Sequence, residues 1–121
     1  DHGFITLLPM SNVGGLEILS QDGSWIPATP VKKGIIINTG EFLNRWSNGR
    51  FLATPHRVIP PVLDRYSMAM FFNPNPNTLA IPFASCVSSK YPAIFDPVTM
   101  IDYMCWYIDS NYKQEAGGIQ S

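Results

Sequence analysis

Arg65 and Ser67 are two polar side chains separated by one residue, at the start of a segment rich in strand-forming residues. Side chains two positions apart on a β-strand share a face, so we expect both to project in one direction. A guanidinium group binds a carboxylate through two parallel hydrogen bonds, and a neighbouring hydroxyl can donate a third. The two residues could therefore bind the acid group of a small molecule. An internal ion pair of Arg65 with Asp64 or Glu41 explains the arginine equally well.

His56 is one of only two histidines, and it begins a predicted strand nine residues before Arg65. Imidazole serves as a metal ligand and as a proton carrier. A single histidine near a strand is nevertheless more often a structural or surface residue than a ligand. Residue type alone leaves both roles open for His56.

The elements that must position these residues are short. Eleven prolines and nine glycines divide the chain into segments rich in β-branched and aromatic residues, with turn signals between them. We predict strands at residues 3–8, 16–19, 25–28, 35–39, 56–59, 67–73 and 79–82. Many short strands at this spacing are typical of an antiparallel sandwich or barrel.

The strand predicted at 67–73 has two faces. Alternation places Ala69 and Phe71 on the face of Arg65 and Ser67. The opposite face carries Met68, Met70 and Phe72, and we expect the two methionines to belong to the core.

The C-terminal segment changes to a helical period. The apolar residues on one predicted helical face are Ile101, Met104, Cys105, Ile108 and Tyr112. Asp96 is predicted as the N-cap, with Pro97 at the first helical position and Gly117–Gly118 ending the helix. We therefore predict a β-barrel portion at residues 1–95 and a helix at 96–118 packed on it.

Composition narrows the possible partners. The net charge is −1, charged residues make up 14% of the chain, and there is no basic run. This argues against binding to nucleic acid or to a membrane surface. No stretch of 18 apolar residues exists. Cys86 and Cys105 match no zinc spacing, so we expect reduced thiols in a cytoplasmic protein, with a single disulfide as the alternative.

Eight ordered blocks of the sequence resemble the isopenicillin N synthase-like family of iron(II)/2-oxoglutarate-dependent oxygenases. They are residues 1–8 (DHGFITLL), 15–19, 22–26, 37–41, 46–50, 55–58 (PHRV), 65–67 (RYS) and 72–74. A looser likeness continues into the C-terminal helix. The resemblance implies a double-stranded β-helix, a jelly roll of the cupin type, with the C-terminal helix against its outer face.

The resemblance also implies roles for individual residues. Asp1 matches the carboxylate of the family's His-x-Asp metal-binding pair, and His56 matches the distant metal-binding histidine. Arg65 and Ser67 match the motif that binds the distal carboxylate of 2-oxoglutarate. The first histidine of the pattern would lie two positions before Asp1, and this chain does not contain it. His2 lies beside Asp1 on the strand, so the pleat should turn it to the other face, and lining of the pocket or packing is the expected role.

Two histidines and a carboxylate on one face of ferrous iron leave three positions open for co-substrate and oxygen. The function implied is hydroxylation or desaturation of a small organic molecule, using iron(II), oxygen and 2-oxoglutarate, with ascorbate as a further candidate cofactor. Succinate and carbon dioxide are the co-products. One alternative is an iron-dependent oxidase of the same fold that does not use 2-oxoglutarate. Another is an incomplete domain, inactive alone, whose partner is a missing N-terminal segment of the same protein.

Several further residues are weaker candidates. Phe4 and Phe72 could form walls of the substrate pocket, although ordinary core packing explains them equally well. Trp25 and Trp46 are expected in the core. Asn38 and Glu41 lie just past a buried strand, where a turn or helix cap is the favoured interpretation and a catalytic role is the minor alternative.

Overall fold

The computed structural model describes residues 1–112 of the 121-residue chain. Its strands are β1 (Ile5–Pro9), β2 (Leu16–Leu19), β3 (Trp25–Pro27), β4 (Ile35–Thr39), β5 (His56–Val58), β6 (Met70–Phe72), β7 (Leu79–Ala80) and β8 (Val98–Thr99). Its helices are α1 (Glu41–Trp46) and α2 (Met100–Tyr112), with a short 3-10 helix at Ala84–Cys86. The predicted mostly-β class is therefore correct for these residues.

Two antiparallel three-stranded sheets form the body of the molecule. The first sheet has the order β4-β1-β6, and the second has the order β3-β2-β5. In the first sheet Thr6 of β1 lies opposite Asn38 of β4 and Phe71 of β6. In the second, Ile18 of β2 lies opposite His56 of β5. Each sheet therefore joins strands that are far apart in the sequence.

All seven predicted strands form, but several are shorter than predicted. The strand expected at 67–73 forms only at Met70–Phe72. These three residues pair with Leu7, Thr6 and Ile5 of β1. Met68 and Met70 are 78% and 56% exposed, so the prediction that they belong to the core is wrong. They lie on the side of β6 that turns away from the second sheet.

The buried core lies between α1, β7 and α2 instead. Phe42, Ala80, Met100 and Tyr103 form it, and Trp46 packs against it. Phe42 is completely buried. The centroid of its ring lies 5.8 Å from that of Trp46 and 5.9 Å from that of Tyr103. Helix α1 was not predicted from the sequence, yet it supplies the centre of this cluster.

Helix α2 begins later than predicted. Val98 and Thr99 pair with β7, so their backbone is part of a strand, and the helix starts at Met100. The Thr99 hydroxyl accepts the Asp102 N–H at 3.2 Å, as an N-cap side chain does, and donates to the Asp102 carboxylate at 2.6 Å. The prediction that Asp96 and Pro97 begin the helix is therefore wrong. Its predicted end at Gly117–Gly118 lies outside the described residues, and the division into 1–95 and 96–118 stays a prediction.

The buried face of α2 also differs from the predicted one. Met100 and Tyr103 are buried, and Met104 packs against the core beside them, whereas Ile101 and Ile108 are about half exposed. Apolar side chains occur on more than one side of this helix, so its period does not decide which side meets the core. Within residues 1–112, neither helix has the length and apolarity needed to cross a membrane. Cys86 and Cys105 are both free.

Candidate metal and carboxylate site

A cavity of about 340 Å³ lies between the two sheets. Thr6 and Ile36 of the first sheet and Leu16 and Val58 of the second line it. All four residues singled out for metal and acid binding also line it: Asp1, His56, Arg65 and Ser67. The structure thus brings together side chains that the sequence separates by up to 66 positions.

Asp1 is held beside the cavity by the start of α1. The Asp1 carbonyl oxygen accepts the Glu41 N–H at 2.9 Å, and the Gly3 carbonyl oxygen accepts the Phe42 N–H at 3.1 Å. These N–H groups have no partner inside the helix because they belong to its first turn. The helix terminus therefore fixes the segment that precedes β1 and carries Asp1.

His56 approaches Asp1 from the second sheet. Its Nδ1 lies 3.1 Å from the Thr54 carbonyl oxygen, and its Nε2 lies 3.5 Å from Asp1 Oδ1. A carbonyl oxygen can only accept, so Nδ1 carries the hydrogen, and Nε2 of a neutral imidazole then presents a lone pair. A nitrogen lone pair and a carboxylate oxygen that face each other at this distance suit a bound cation.

Asp1 and His56 are two ligands of a type that ferrous iron accepts. Among residues 1–112, no group of three His, Cys, Asp or Glu side chains could hold a metal ion. The donor set fits the implied iron in type and provides two protein ligands of the three in the family pattern.

Asn38 is a site residue that sequence reasoning did not assign to the site. It lies in β4, lines the cavity, and donates from Nδ2 to Asp1 Oδ2 at 2.8 Å. We expected it to cap a helix or form a turn. The alternation of β4 puts Asn38 on the face of Ile36, which is the one signal that could have indicated its direction.

Arg65 lies at the cavity, and within residues 1–112 no carboxylate of the protein pairs with it. Its buried Nε has no hydrogen-bond partner, and neither Asp64 nor Glu41 forms a salt bridge with it in the described part of the chain. Glu41 accepts a hydrogen bond from Asn44 instead, at 3.3 Å. The alternative of an internal ion pair is therefore not realised here. An unpaired guanidinium beside a hydroxyl fits the carboxylate of a small molecule.

Apolar side chains form most of the remaining wall, among them Leu8, Ile18, Ile36 and Phe71. Phe71 and Ala69 line the cavity with Arg65 and Ser67, as the predicted alternation requires. Phe4 and Phe72 do not line this cavity. Phe4 packs edge-on against Trp46 with ring centroids 5.7 Å apart, and Phe72 follows Phe71 in β6 and is 60% exposed.

His2 also lies outside the cavity wall, so of its two expected roles the structure shows packing and not lining of this cavity. Its ring stacks on Tyr107 of α2 at 4.5 Å. Burial lowers the pKa of His2 below its ordinary value, which favours the neutral ring. His2 therefore packs the segment carrying Asp1 against α2.

The family profile of the 2OG-Fe(II) oxygenase superfamily matches residues 1–74, which is more than half of the chain. The curated relatives include 1-aminocyclopropane-1-carboxylate oxidase homolog 7 of Arabidopsis thaliana. It is 38% identical over 113 residues, covering 90% of this chain and 32% of that protein.

Solved structures are also similar to this chain. A Neurospora crassa protein, crystallised in complex with alpha-KG and thymine, is 30% identical with a TM-score of 0.84, covering 93% of this chain and 36% of that one. A dioxygenase for auxin oxidation in rice is 29% identical with a TM-score of 0.78, covering 91% of this chain and 38% of that one. The chain thus spans roughly a third of the length of the relatives it matches.

Proposed function

Because this chain belongs to the 2OG-Fe(II) oxygenase superfamily, we propose that it forms the ligand-bearing part of an oxygenase that oxidises a small organic molecule with iron(II), oxygen and 2-oxoglutarate. The family resemblance noted in the sequence is confirmed by the family match. The substrate, the reaction outcome and the activity of the whole protein are parts of the proposal.

One observation carries this proposal: Asp1, His56, Arg65 and Ser67 line the same cavity. Asp1 Oδ1 and His56 Nε2 face each other at 3.5 Å, as two ligands of one cation would. Arg65 provides a guanidinium group with an unpaired buried Nε, and Ser67 provides a hydroxyl. A dicarboxylic keto acid needs both kinds of group, one end for the metal and the other for the arginine.

The residues of this chain bind the metal and the co-substrate, orient them, and exclude water. Arg65 and Ser67 hold the distal carboxylate, and Asp1 and His56 hold the metal. The apolar wall that includes Leu8, Leu16 and Ile18 limits the access of water to the reacting atoms. Bound iron(II) supplies the coupled chemistry in which substrate, oxygen and 2-oxoglutarate become hydroxylated product, succinate and carbon dioxide.

We further propose that the third ligand is a histidine two positions before Asp1 in a longer protein. The share of the relatives that the chain covers, about a third, supports this. So does the apolar outer face of the first sheet, where Met70 and Phe72 are 56% and 60% exposed, as expected of a surface that more of the same protein covers. The free state of both cysteines supports the predicted cytoplasmic location.

The test compares the amount of succinate released with the amount of oxygen consumed. The full-length protein, loaded with iron(II) under nitrogen, is mixed with 2-oxoglutarate and oxygen, and succinate and oxygen uptake are measured together. We expect equal amounts of both, at a slow rate without substrate and a faster rate with it. A His56→Ala variant should bind no iron(II) and release no succinate. Iron-loaded protein that consumes no 2-oxoglutarate with any substrate would contradict the proposal.

The alternative is an oxidase that uses another acid at Arg65 and Ser67. The similarity to a protein named as an oxidase homolog supports this alternative. The same measurement separates the two functions. Turnover of a substrate without 2-oxoglutarate would replace the first proposal by the second.

A further inference from the structure

Asn38 forms a hydrogen bond with one oxygen of the Asp1 carboxylate. Its Nδ2 donates to Asp1 Oδ2 at 2.8 Å, while the other oxygen, Oδ1, faces His56 Nε2. The two oxygens of Asp1 therefore have different surroundings. One lies against an amide donor, and the other is directed toward the imidazole across the proposed metal position.

The orientation of the Asn38 amide follows from its partners. An ionised carboxylate has no hydrogen to donate, so the atom nearest Asp1 Oδ2 is the NH₂ group. His56 Nδ1 lies 3.5 Å from the same Nδ2, but its hydrogen is directed at the Thr54 carbonyl oxygen. Two donors cannot bond each other, so the short hydrogen bond of Asn38 is the one to Asp1.

The backbone under Asn38 is rigid. Asn38 lies inside β4, directly opposite Thr6 of the adjacent β1, and Thr6 is buried. Sites built on paired strands are held more precisely than sites on loops. Strand pairing therefore fixes the backbone of Asn38, and the hydrogen bond to Asp1 Oδ2 orients its amide.

We propose that Asn38 is a positioning residue that makes Asp1 a one-oxygen metal ligand, by holding Oδ2 and leaving Oδ1 for the metal. This inference rests on the proposed function, because it assumes that Asp1 and His56 bind a cation. A carboxylate without this partner can rotate or use both oxygens, which would occupy a position that the co-substrate or oxygen needs. Partners that orient a ligand in this way typically contribute about 10–100-fold to metal affinity.

Asn73 provides a matched control for Asn38. Its Oδ1 accepts the Phe4 N–H at 3.0 Å, so it also anchors the segment near Asp1, but as an acceptor. Asn73→Asp keeps an acceptor in that place. Asn38→Asp removes the donor and sets a second carboxylate against Asp1. The same chemical change therefore has opposite consequences at the two positions.

The experiment measures Mn(II) binding to the full-length apoprotein by EPR, without oxygen turnover, for wild type, Asn38→Asp, Asn38→Ala and Asn73→Asp. The d–d absorption of bound Co(II) reports the coordination geometry, and the Tm of each apoprotein reports folding. We expect both Asn38 variants to raise the Mn(II) Kd by about 10–100-fold and to alter the Co(II) spectrum, with apoprotein Tm values near wild type. Asn73→Asp should leave the Mn(II) Kd unchanged.

Three outcomes would overturn the inference while leaving the proposed function in place. Asn38 variants with the wild-type Kd and Co(II) spectrum would show that Asp1 needs no such partner. Equal weakening by Asn38→Asp and Asn73→Asp would indicate general loosening of the segment. Loss of metal binding only together with an unfolded apoprotein would make Asn38 structural. Wild-type protein that binds no Mn(II) would overturn both the proposed function and this inference.

Discussion

The backbone of Gly40 lies against the backbone of Gly3, so that a Cβ at position 40 would come within 2.7 Å of the Gly3 carbonyl carbon. This contact joins the start of α1 to the segment that carries Asp1. Gly40 has an extended conformation that any residue adopts, with φ at −107°. The need for glycine at position 40 is therefore spatial: the two chains pass too closely for a side chain.

Gly40→Ala should displace the segment at residues 1–3, because the new Cβ would overlap the backbone of Gly3, which cannot move aside as a flexible side chain can. We expect a loss of about 1–3 kcal/mol in the free energy of unfolding, together with weaker Mn(II) binding as Asp1 moves. Gly14→Ala is the control, since nothing lies within 4 Å of a Cβ there. Urea unfolding and Mn(II) titration measure both effects. Equal behaviour of the two variants would show that the close approach at Gly40 is unimportant.

Arg65→Ala should raise the 2-oxoglutarate concentration needed for half-maximal succinate release. A charge-assisted bidentate contact is worth about 1.5–3 kcal/mol, which corresponds to a rise of roughly 10–100-fold in KM. Metal affinity should stay near wild type because Asp1 and His56 are unchanged.

Arg57→Ala controls for the loss of a positive charge near the site. Arg57 bonds Glu17 at 2.7 Å and lies 4.1 Å from the ring centroid of Trp25, outside the cavity wall. We expect a small loss of stability and an unchanged KM for 2-oxoglutarate. Unaltered KM in the Arg65 variant would remove Arg65 from the acid-binding site.

Asn48 should be one of the more sensitive surface positions. It adopts a left-handed conformation with φ at 53°, which asparagine tolerates well. Its amide donates to the carbonyls of Cys86 and Pro92 and accepts the Ile94 N–H, so it fastens the 86–94 loop to the end of α1. Asn48→Ala should lower the free energy of unfolding by about 2–4 kcal/mol.

Asn111→Ala is the comparison for Asn48, because Asn111 makes one exposed hydrogen bond, to the Tyr107 carbonyl. Its loss should cost less than about 0.5 kcal/mol. Chemical denaturation of the full-length protein gives both values. An Asn48 effect as small as the Asn111 effect would mean that the loop is held by other contacts.

Tyr103 should make the protein sensitive to alkali. Burial raises the pKa of the Tyr103 phenol to about 12, and the nearby Glu41 carboxylate adds to the rise. The unfolded chain releases this proton near pH 10, so the stabilising contribution is complete below pH 10 and is lost as the pH rises toward 12.

Tyr103→Phe should therefore flatten the fall in stability between pH 10 and 12, measured as Tm against pH. Difference absorbance of tyrosinate between wild type and variant should show the phenol ionising above the usual range. A difference titration centred near pH 10 would contradict the burial argument.

The local sequence pattern determined much about where the strands lie and which side chains share a face. Alternation correctly placed Ala69 and Phe71 on the cavity side with Arg65 and Ser67. A two-residue period is a property of the extended backbone itself, so it needs no knowledge of the rest of the fold. The residue motifs likewise indicated the family, which the family match confirms.

Only the tertiary structure decided which residues meet. Asp1, Asn38 and His56 come together because β1 pairs with β4 in one sheet and β5 pairs with β2 in the other. Pairing over such separations depends on register and on the packing of two sheets, which no local pattern contains. The buried face of α2 was misjudged for the same reason: several sides of the helix are apolar, and the core contact selects one of them.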